Sequence, residues 1–401
     1  MLLNTLLTVF DFHSSISIFT EKNMRSLKML IVLLLTVSFA FAQDAITLYN
    51  DGLALKKENN NKAAYEKFKL AVQAKPDYTE AIYEMGWCQN DMKDYTNALI
   101  SFRKILNTWA QIPKLNFETG YALEKLNRTD SAIYYYNACL KLKPDYSLAY
   151  KQLGFIAYTR GDSEEKILDA FAKYEAAAKV PITDYLYWYR KGFTQNAQKN
   201  YAAAKISLAK SLESKTDYVN TYLEIGFACT KLKQDEEAIE NYNKAIALDP
   251  KSHIPYNGIA EVYRDNKKNM AEAMNWYSKT LVMNSGERKA NFGMGYCLNS
   301  NEKYSEAISY LKKSIAAEAT YTAAYVELGY SYFKTNENAL AETNFKKALQ
   351  LNDKNENARF YLGLLYIAQN NKTKAQQMVE ELKLLNSKNA SSLQDKVNKM
   401  N

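Results

Sequence analysis

The residues of this chain best suited to chemistry are aromatic, and they recur. They are placed relative to a series of small residues at Gly52, Gly86, Gly120, Gly154, Gly192, Gly226, Ala260, Gly295, Gly329 and Gly363. The position after each small residue reads Leu53, Trp87, Tyr121, Phe155, Phe193, Phe227, Glu261, Tyr296, Tyr330 and Leu364. The position three before reads Tyr49, Tyr83, Phe117, Lys151, Tyr189, Leu223, Asn257, Phe292, Val326 and Phe360. Four apart on a helix, the two positions share a face. Rings offer wide contact area and few rotamers, and Tyr and Trp add a polar tip, which is recognition chemistry rather than bond-making. The same stripe also suits ring-on-ring packing between neighbouring repeats, and both roles stay open at this stage.

Bond-making groups are sparse. Beyond residue 42 the sole histidine is His253, so any Ser-His or Cys-His pair depends on it. There is no Gly-rich phosphate loop, no HExxH and no CxxC, so we expect no catalytic residue, metal or cofactor. Cys88, Cys139, Cys229 and Cys297 stand where other repeats carry small or apolar residues, and they read as packing. The net charge of +8 is mild, and Lys alternates with Glu and Asp, which argues against a nucleic-acid surface. Two places break the stripe. Tyr185, Tyr187, Trp188, Tyr189 and Phe193 form the densest aromatic patch, a candidate hot spot for a partner. The seventh segment carries Asn257, Glu261 and Arg264 beside His253, either to read a polar group or to form a local Glu261–Arg264 ion pair.

The elements that position these residues follow from the period. The small residues are 34 apart with two exceptions, steps of 38 and 35. An Ala follows each by 12, or 12 plus an insertion: Ala64, Ala98, Ala132, Ala170, Ala204, Ala238, Ala273, Ala307, Ala341 and Ala375. Four residues beyond stand Phe68, Phe102, Tyr136, Tyr174, Leu208, Tyr242, Tyr277, Leu311, Phe345 and Val379. Polar turns separate the two halves of each unit, and Pro76, Pro144, Pro181 and Pro250 end four of them. Only 6 prolines and 13 glycines in 401 residues leave long stretches free of breakers, so the fold class is all-α. A fixed period of this length is the mark of a solenoid.

The pattern resembles the tetratricopeptide repeat. Leu153-Gly154, Leu328-Gly329-Tyr330-Ser331-Tyr332 and Glu237 to Ala245 carry the resemblance most closely. It implies an α-α superhelix of about ten helical hairpins, with units near 45–78, 79–112, 113–146, 147–184, 185–218, 219–252, 253–287, 288–321, 322–355 and 356–388. It also implies that the first helices line a groove that binds peptides or proteins. The expected groove residues are Tyr83, Trp87, Phe117, Tyr121, Phe155, Tyr185, Trp188, Tyr189, Phe193, Phe227, Glu261, Arg264, Phe292, Tyr296 and Tyr330. A glycan is the rival partner, since aromatic faces also stack on sugar rings. Residues 389–401 read as a polar tail.

Ahead of the array, Met24 to Lys28 is basic, Met29 to Phe39 apolar, and Ala40-Phe41-Ala42 small at its ends. This is the order of a secretory signal, with translation starting at Met24, cleavage after Ala42 and no membrane span afterwards. The expected location is the periplasm or cell envelope. If the signal goes unused, a cytosolic regulator is the alternative.

Overall fold

The computed structural model describes residues 21–400, and every regular element among them is helical. The chain divides into two units, one of residues up to 161 with 169–180, the other of 162–168 with 181 onward. The first unit holds α1 (Glu21–Lys57), α2 (Asn61–Ala74), α3 (Thr79–Asp91), α4 (Tyr95–Trp109), α5 (Pro113–Lys125), α6 (Thr129–Leu142) and α7 (Ser147–Arg160). Helix α8 (Glu164–Ala177) has residues in both units. The second unit continues with α9 (Tyr185–Ala197), α10 (Tyr201–Ser214), α11 (Val219–Lys231), α12 (Asp235–Leu248) and α13 (Ile254–Glu261). It ends with α14 (Met270–Met283), α15 (Arg288–Ser300), α16 (Tyr304–Ala317), α17 (Thr322–Lys334), α18 (Asn338–Leu351), α19 (Glu356–Ala368), α20 (Lys372–Leu384) and α21 (Asn389–Asn398).

Hairpins form because each small residue of a first helix receives a ring or Leu from the second helix. A Cβ added at Gly86 would sit 2.5 Å from the Phe102 ring, and one at Gly329 would sit 2.7 Å from Phe345. These fillers are fully buried, as are Ala98 and Ala341 one turn before them. Burying a ring of this size contributes roughly 1.5–3 kcal/mol, and the glycine is what lets it fit. The turn between the helices is equally regular. Seven residues after the small residue the backbone turns left-handed, at Asn59, Lys93, Asn127, Gly161, Lys199, Lys233, Glu302, Asn336 and Asn370. Asn60, Asp94, Asn200, Asn269 and Asn371 then accept a backbone N–H of the following helix, which caps it.

The two breaks in the period have separate mechanical causes. In the fourth repeat the extra four residues are split. One falls in the turn, and three follow α8, before Asp184 caps α9. Gly154 is therefore filled by Phe171, not Tyr174, and Ile167, not Ala170, takes the buried place before it. In the seventh repeat α13 runs on into a π-helical turn, Val262–Asn266, which absorbs the one extra residue. Its left-handed residue, Lys268, accordingly comes one place late.

Within each unit the first helices lie side by side: α3 with α5 in the first, and α9, α11, α13, α15, α17 and α19 in succession in the second. This layer carries the stripe. Residues 389–398 are helical, not a polar tail. Leu393 of α21 fills the space at Gly363 that the seam pattern gave to Val379, and Leu393 and Val397 are buried. Helix α21 packs against both helices of the hairpin before it, α19 and α20.

Helix α1 is continuous from the basic stretch into the first hairpin. Residues 1–20, the upstream segment, lie outside the described residues, as do the side chains of 33–43 that carry the cleavage-site reading. Among the described residues, no helix is long and apolar enough to cross a membrane. The four cysteines are free and buried, and burial pushes Cys88, Cys139 and Cys297 up to about 12 and Cys229 to about 11, so these thiols stay protonated.

Candidate functional site

The two columns of the stripe have different tasks. The column three before the small residue holds successive hairpins together. Phe117 is buried, 5.6 Å from Tyr136 and 5.1 Å from Tyr146. Tyr83 packs on Phe102 and Trp109, Tyr189 meets Tyr218 edge-on at 5.1 Å, and Phe292 meets Tyr321 at 5.1 Å. The column after the small residue stays half-buried or exposed at Trp87, Tyr121, Phe155, Phe193, Phe227, Tyr296 and Tyr330. Three of its rings are braced edge-on by the first residue of a second helix: Tyr95 on Tyr121, Tyr201 on Phe227 and Tyr304 on Tyr330, at 6.2, 6.0 and 5.8 Å. Phe155 is braced by Phe171 instead.

Beside these rings runs a polar pair that repeats. The Asn four after a small residue donates from Nδ2 to the Glu two before the next. Asn90 reaches Glu118, Asn196 reaches Glu224 and Asn299 reaches Glu327, at 2.8, 2.8 and 2.9 Å. The same Nδ2 also reaches the backbone carbonyl of that Glu in all three cases. Burial raises the pKa of Glu118 to about 7 and raises Glu224 and Glu327 as well, against the opposing pull of the Asn donor. In the first hairpin Lys56 takes the Asn place and pairs with Glu84 at 2.5 Å.

The pairs open into clefts. In the first unit, Trp87, Asn90, Asp91, Lys93, Tyr95, Phe117, Glu118 and Tyr121 line a cleft of about 240 Å3. In the second, α9, α11 and α13 border one of about 640 Å3, lined by Tyr189, Phe193, Asn196, Tyr201, Glu224, Phe227, Tyr242, Asn257, Gly258 and Glu261 among others. Gly258 borders the larger cleft where several other repeats carry Glu, and it lies against the Tyr242 ring. Nothing among the described residues groups His, Cys, Asp or Glu as a metal site.

The structure does not gather the aromatic patch on one surface. Tyr189 and Phe193 line the larger cleft, whereas Trp188 is only 8% exposed and its indole N–H donates to the Ile182 carbonyl at 2.8 Å. One residue before Tyr189 on a helix is about 100° around, which turns it inward. Tyr187 is fully buried, and Tyr185 packs on Tyr218. In the seventh repeat Arg264 pairs with Asp265 rather than Glu261, through Nε at 2.6 Å and a second nitrogen at 2.7 Å. The π-helical turn sends its guanidinium among Tyr277, Phe292 and Tyr296, each 5.8–5.9 Å away. Glu261 instead accepts from Asn257 at 3.1 Å, and His253 stands apart, 3.4 Å from Asn284. The sequence reading passed over Asn90, Asn196, Glu118, Glu224, Tyr95 and Tyr201. The signal was present, an Asn followed by a Glu 28 residues on, in three repeats.

Hairpins of this length, with a glycine-to-ring seam and a left-handed turn, match models of one family at four places. A model described as TPR repeat matches residues 226–267, and models described as tetratricopeptide repeat match 326–381, 113–146 and 80–111. The chain contains tetratricopeptide repeats. It is 27% identical over 193 residues to the mitochondrial import receptor subunit TOM70 of Rattus norvegicus, covering 45% of this chain and 31% of that protein. It is 30% identical over 94 residues to the uncharacterized protein ycf37 of Guillardia theta, covering 22% of this chain and 52% of that one. The chain thus spans under two thirds of each relative. Among solved structures, a chain of the APC/C hetero-tetramer Cut9–Hcn1 aligns with a TM-score of 0.51 and 11% identity, over 90% of this chain and 98% of that chain. This last likeness is one of fold.

Proposed function

We propose that this chain is a non-catalytic scaffold of the bacterial cell envelope that holds peptide or protein partners on the face of its first helices. The observation that carries the reading is the pair of open clefts, one in each unit, walled by rings and floored by an amide–carboxylate pair. Apolar walls with a few fixed polar groups are the usual make-up of a ligand site. Repeats of this family serve protein–protein interaction in general, and the relative TOM70 is named a receptor. The envelope location follows from the leader, Met24 to Ala42, whose three-part order is that of an export signal.

A displayed random-peptide library screened on the full chain tests the binding role. Selected peptides should lose most of their affinity when Phe193→Ala and Phe227→Ala are combined, since both rings wall the larger cleft. Retention on polysaccharide, with no peptide selected, would replace this reading with a glycan-binding one. Mass measurement of the mature chain tests the location. A start at Gln43 supports export, and retention of Leu33 to Leu35 sinks it.

A further inference from the structure

The larger cleft shows what kind of group it takes, because the chain fills the equivalent space elsewhere with its own cations. In the first hairpin, Lys56 stands four after Gly52. Its ammonium pairs with Glu84 at 2.5 Å and lies 3.5 Å from the centroid of Trp87, the ring that follows Gly86. In the seventh, Arg264 stands four after Ala260 and places its guanidinium between Phe292 and Tyr296, the two stripe positions of the next repeat. A cation seated between a carboxylate and a ring is favourable on both counts, and more so where water is thinned.

In the second unit the same place is held by Asn196, which is too short to reach the ring. It holds Glu224 through one oxygen and leaves Phe227 uncovered on the cleft side. No other hydrogen bond or ion pair reaches the carboxylate of Glu224 or Glu261 among the described residues. The carbonyl oxygens of Asn196 and Asn257, side chains 4% and 7% exposed, have no donor. The Glu224 and Glu261 carboxylates thus line a cleft walled by Phe193, Tyr201 and Phe227. Among the other charges near it, the Arg264 guanidinium, its side chain 13% exposed, acts on Glu261 from outside the lining while pairing with Asp265, and the lysines face solvent. Lys199 and Lys289 lie exposed in the lining, and exposed Lys231 is 5.3 Å from the Phe227 ring without lining the cleft. Water and salt screen exposed lysines more than they screen the half-buried carboxylates.

Building on the peptide-binding reading above, we infer that this cleft seats a basic side chain of a partner peptide. The Arg or Lys head group lies between Glu224 and Phe227, as Lys56 lies between Glu84 and Trp87. Glu261 offers a second carboxylate to its remaining N–H donors, which favours the five-donor guanidinium over the ammonium.

Fluorescence anisotropy with the full chain tests the seat, using labelled acetyl-Ala-Leu-Arg-Leu-Ala-amide and the same peptide with Lys, citrulline or Glu at the centre. The Arg peptide should bind at least about tenfold tighter than its citrulline isostere, and the Lys peptide should fall between. Glu224→Gln should abolish the preference for the Arg over the citrulline peptide, and Phe227→Leu should weaken the Arg peptide several-fold. Thermal melts confirm that the variants fold, and Glu261→Gln, which should reduce the preference in part, gives a second measure if Glu224→Gln melts early. Equal binding of Arg and citrulline peptides, an unchanged preference in Glu224→Gln, or preference for the Glu peptide overturns the basic seat but leaves peptide binding standing. Failure of all four peptides also overturns the seat, and peptide binding then stands or falls on the library screen.

Discussion

The two clefts are built from the same parts and differ in volume. Each has a ring after a glycine, a Tyr bracing the next ring, and an Asn–Glu pair 28 residues apart: Trp87, Tyr95, Asn90 and Glu118 in the first unit, Phe193, Tyr201, Asn196 and Glu224 in the second. What differs is the residue two before the following small residue. It is buried Gln152 in the first unit and Gly258 in the second, where the cleft measures about 640 Å3 against about 240 Å3. At the third such pair, Asn299 and Glu327, the corresponding Tyr361 lies 4.9 Å from Tyr330 and covers it. The pair itself persists because an amide that caps a buried carboxylate removes two unsatisfied groups at once.

The largest effect should come from closing the deeper cleft at its floor. A Cβ at Gly258 would clash with the Tyr242 ring, and that ring has little room to retreat, since a Cβ at Gly226 would already be 2.8 Å from it. Gly258→Ala should therefore destabilise the second unit by about 1–3 kcal/mol, a net figure, because overpacking outweighs the helix-propensity gain of up to ~1 kcal/mol. Hydrogen exchange on the full chain localises the loss. Faster exchange in α12 and α13 with unchanged α3 and α5 is expected, and an unaltered second unit would mean that Tyr242 has room we have not credited.

A smaller effect separates the clefts by pH. The folded chain holds the Glu118 proton up to about pH 7, because burial disfavours the charged form. The unfolded chain releases it near 4.3, the ordinary glutamate value. Between those values the folded state binds more protons, so stability contributed by this group is greatest at low pH and is lost as pH rises toward 7. The first unit should lose roughly 1–2 kcal/mol across that window, allowing for water in the open cleft. Glu118→Gln should flatten the dependence, measured as denaturant midpoints from pH 5 to pH 8. A slope that survives the substitution would assign the titration to another group.

How far this could be read in advance depends on what repeats. The hairpins, their seam and their turns recur in every unit, so periodicity exposed them, down to Gly86 against Phe102. The insertions were located but not divided, because counting residues cannot tell a turn extension from a π-helical turn. This is why Phe171, rather than Tyr174, fills the fourth seam. The site was half legible. Phe193 and Phe227 followed from their spacing, whereas Trp188 carried the right chemistry at the wrong angle. The Asn–Glu pair was passed over because it joins different repeats, and inspecting one repeat at a time hides a contact between two. Residues 389–398 looked polar because only one face of their helix is buried.

The smallest predicted effect treats the two clefts alike in stability and apart in binding. Lys93 and Lys199 occupy matching turns with φ of 63°, the left-handed region, and each lies at the lip of its cleft. A side chain there costs about 1–2 kcal/mol that glycine avoids, and glycine returns part of the gain by loosening the unfolded chain. Lys93→Gly and Lys199→Gly should each stabilise by a net ~0.5 kcal/mol, visible as small parallel rises in denaturant midpoint. Binding should then distinguish them. Lys199→Gly removes a rim charge that opposes a basic group in the larger cleft, so the Arg peptide should bind about twofold tighter at low salt, with the gain fading as salt screens it. Lys93→Gly should leave that affinity unchanged. If both variants shift it equally, the peptide is sensing net charge rather than seating in the cleft of the second unit.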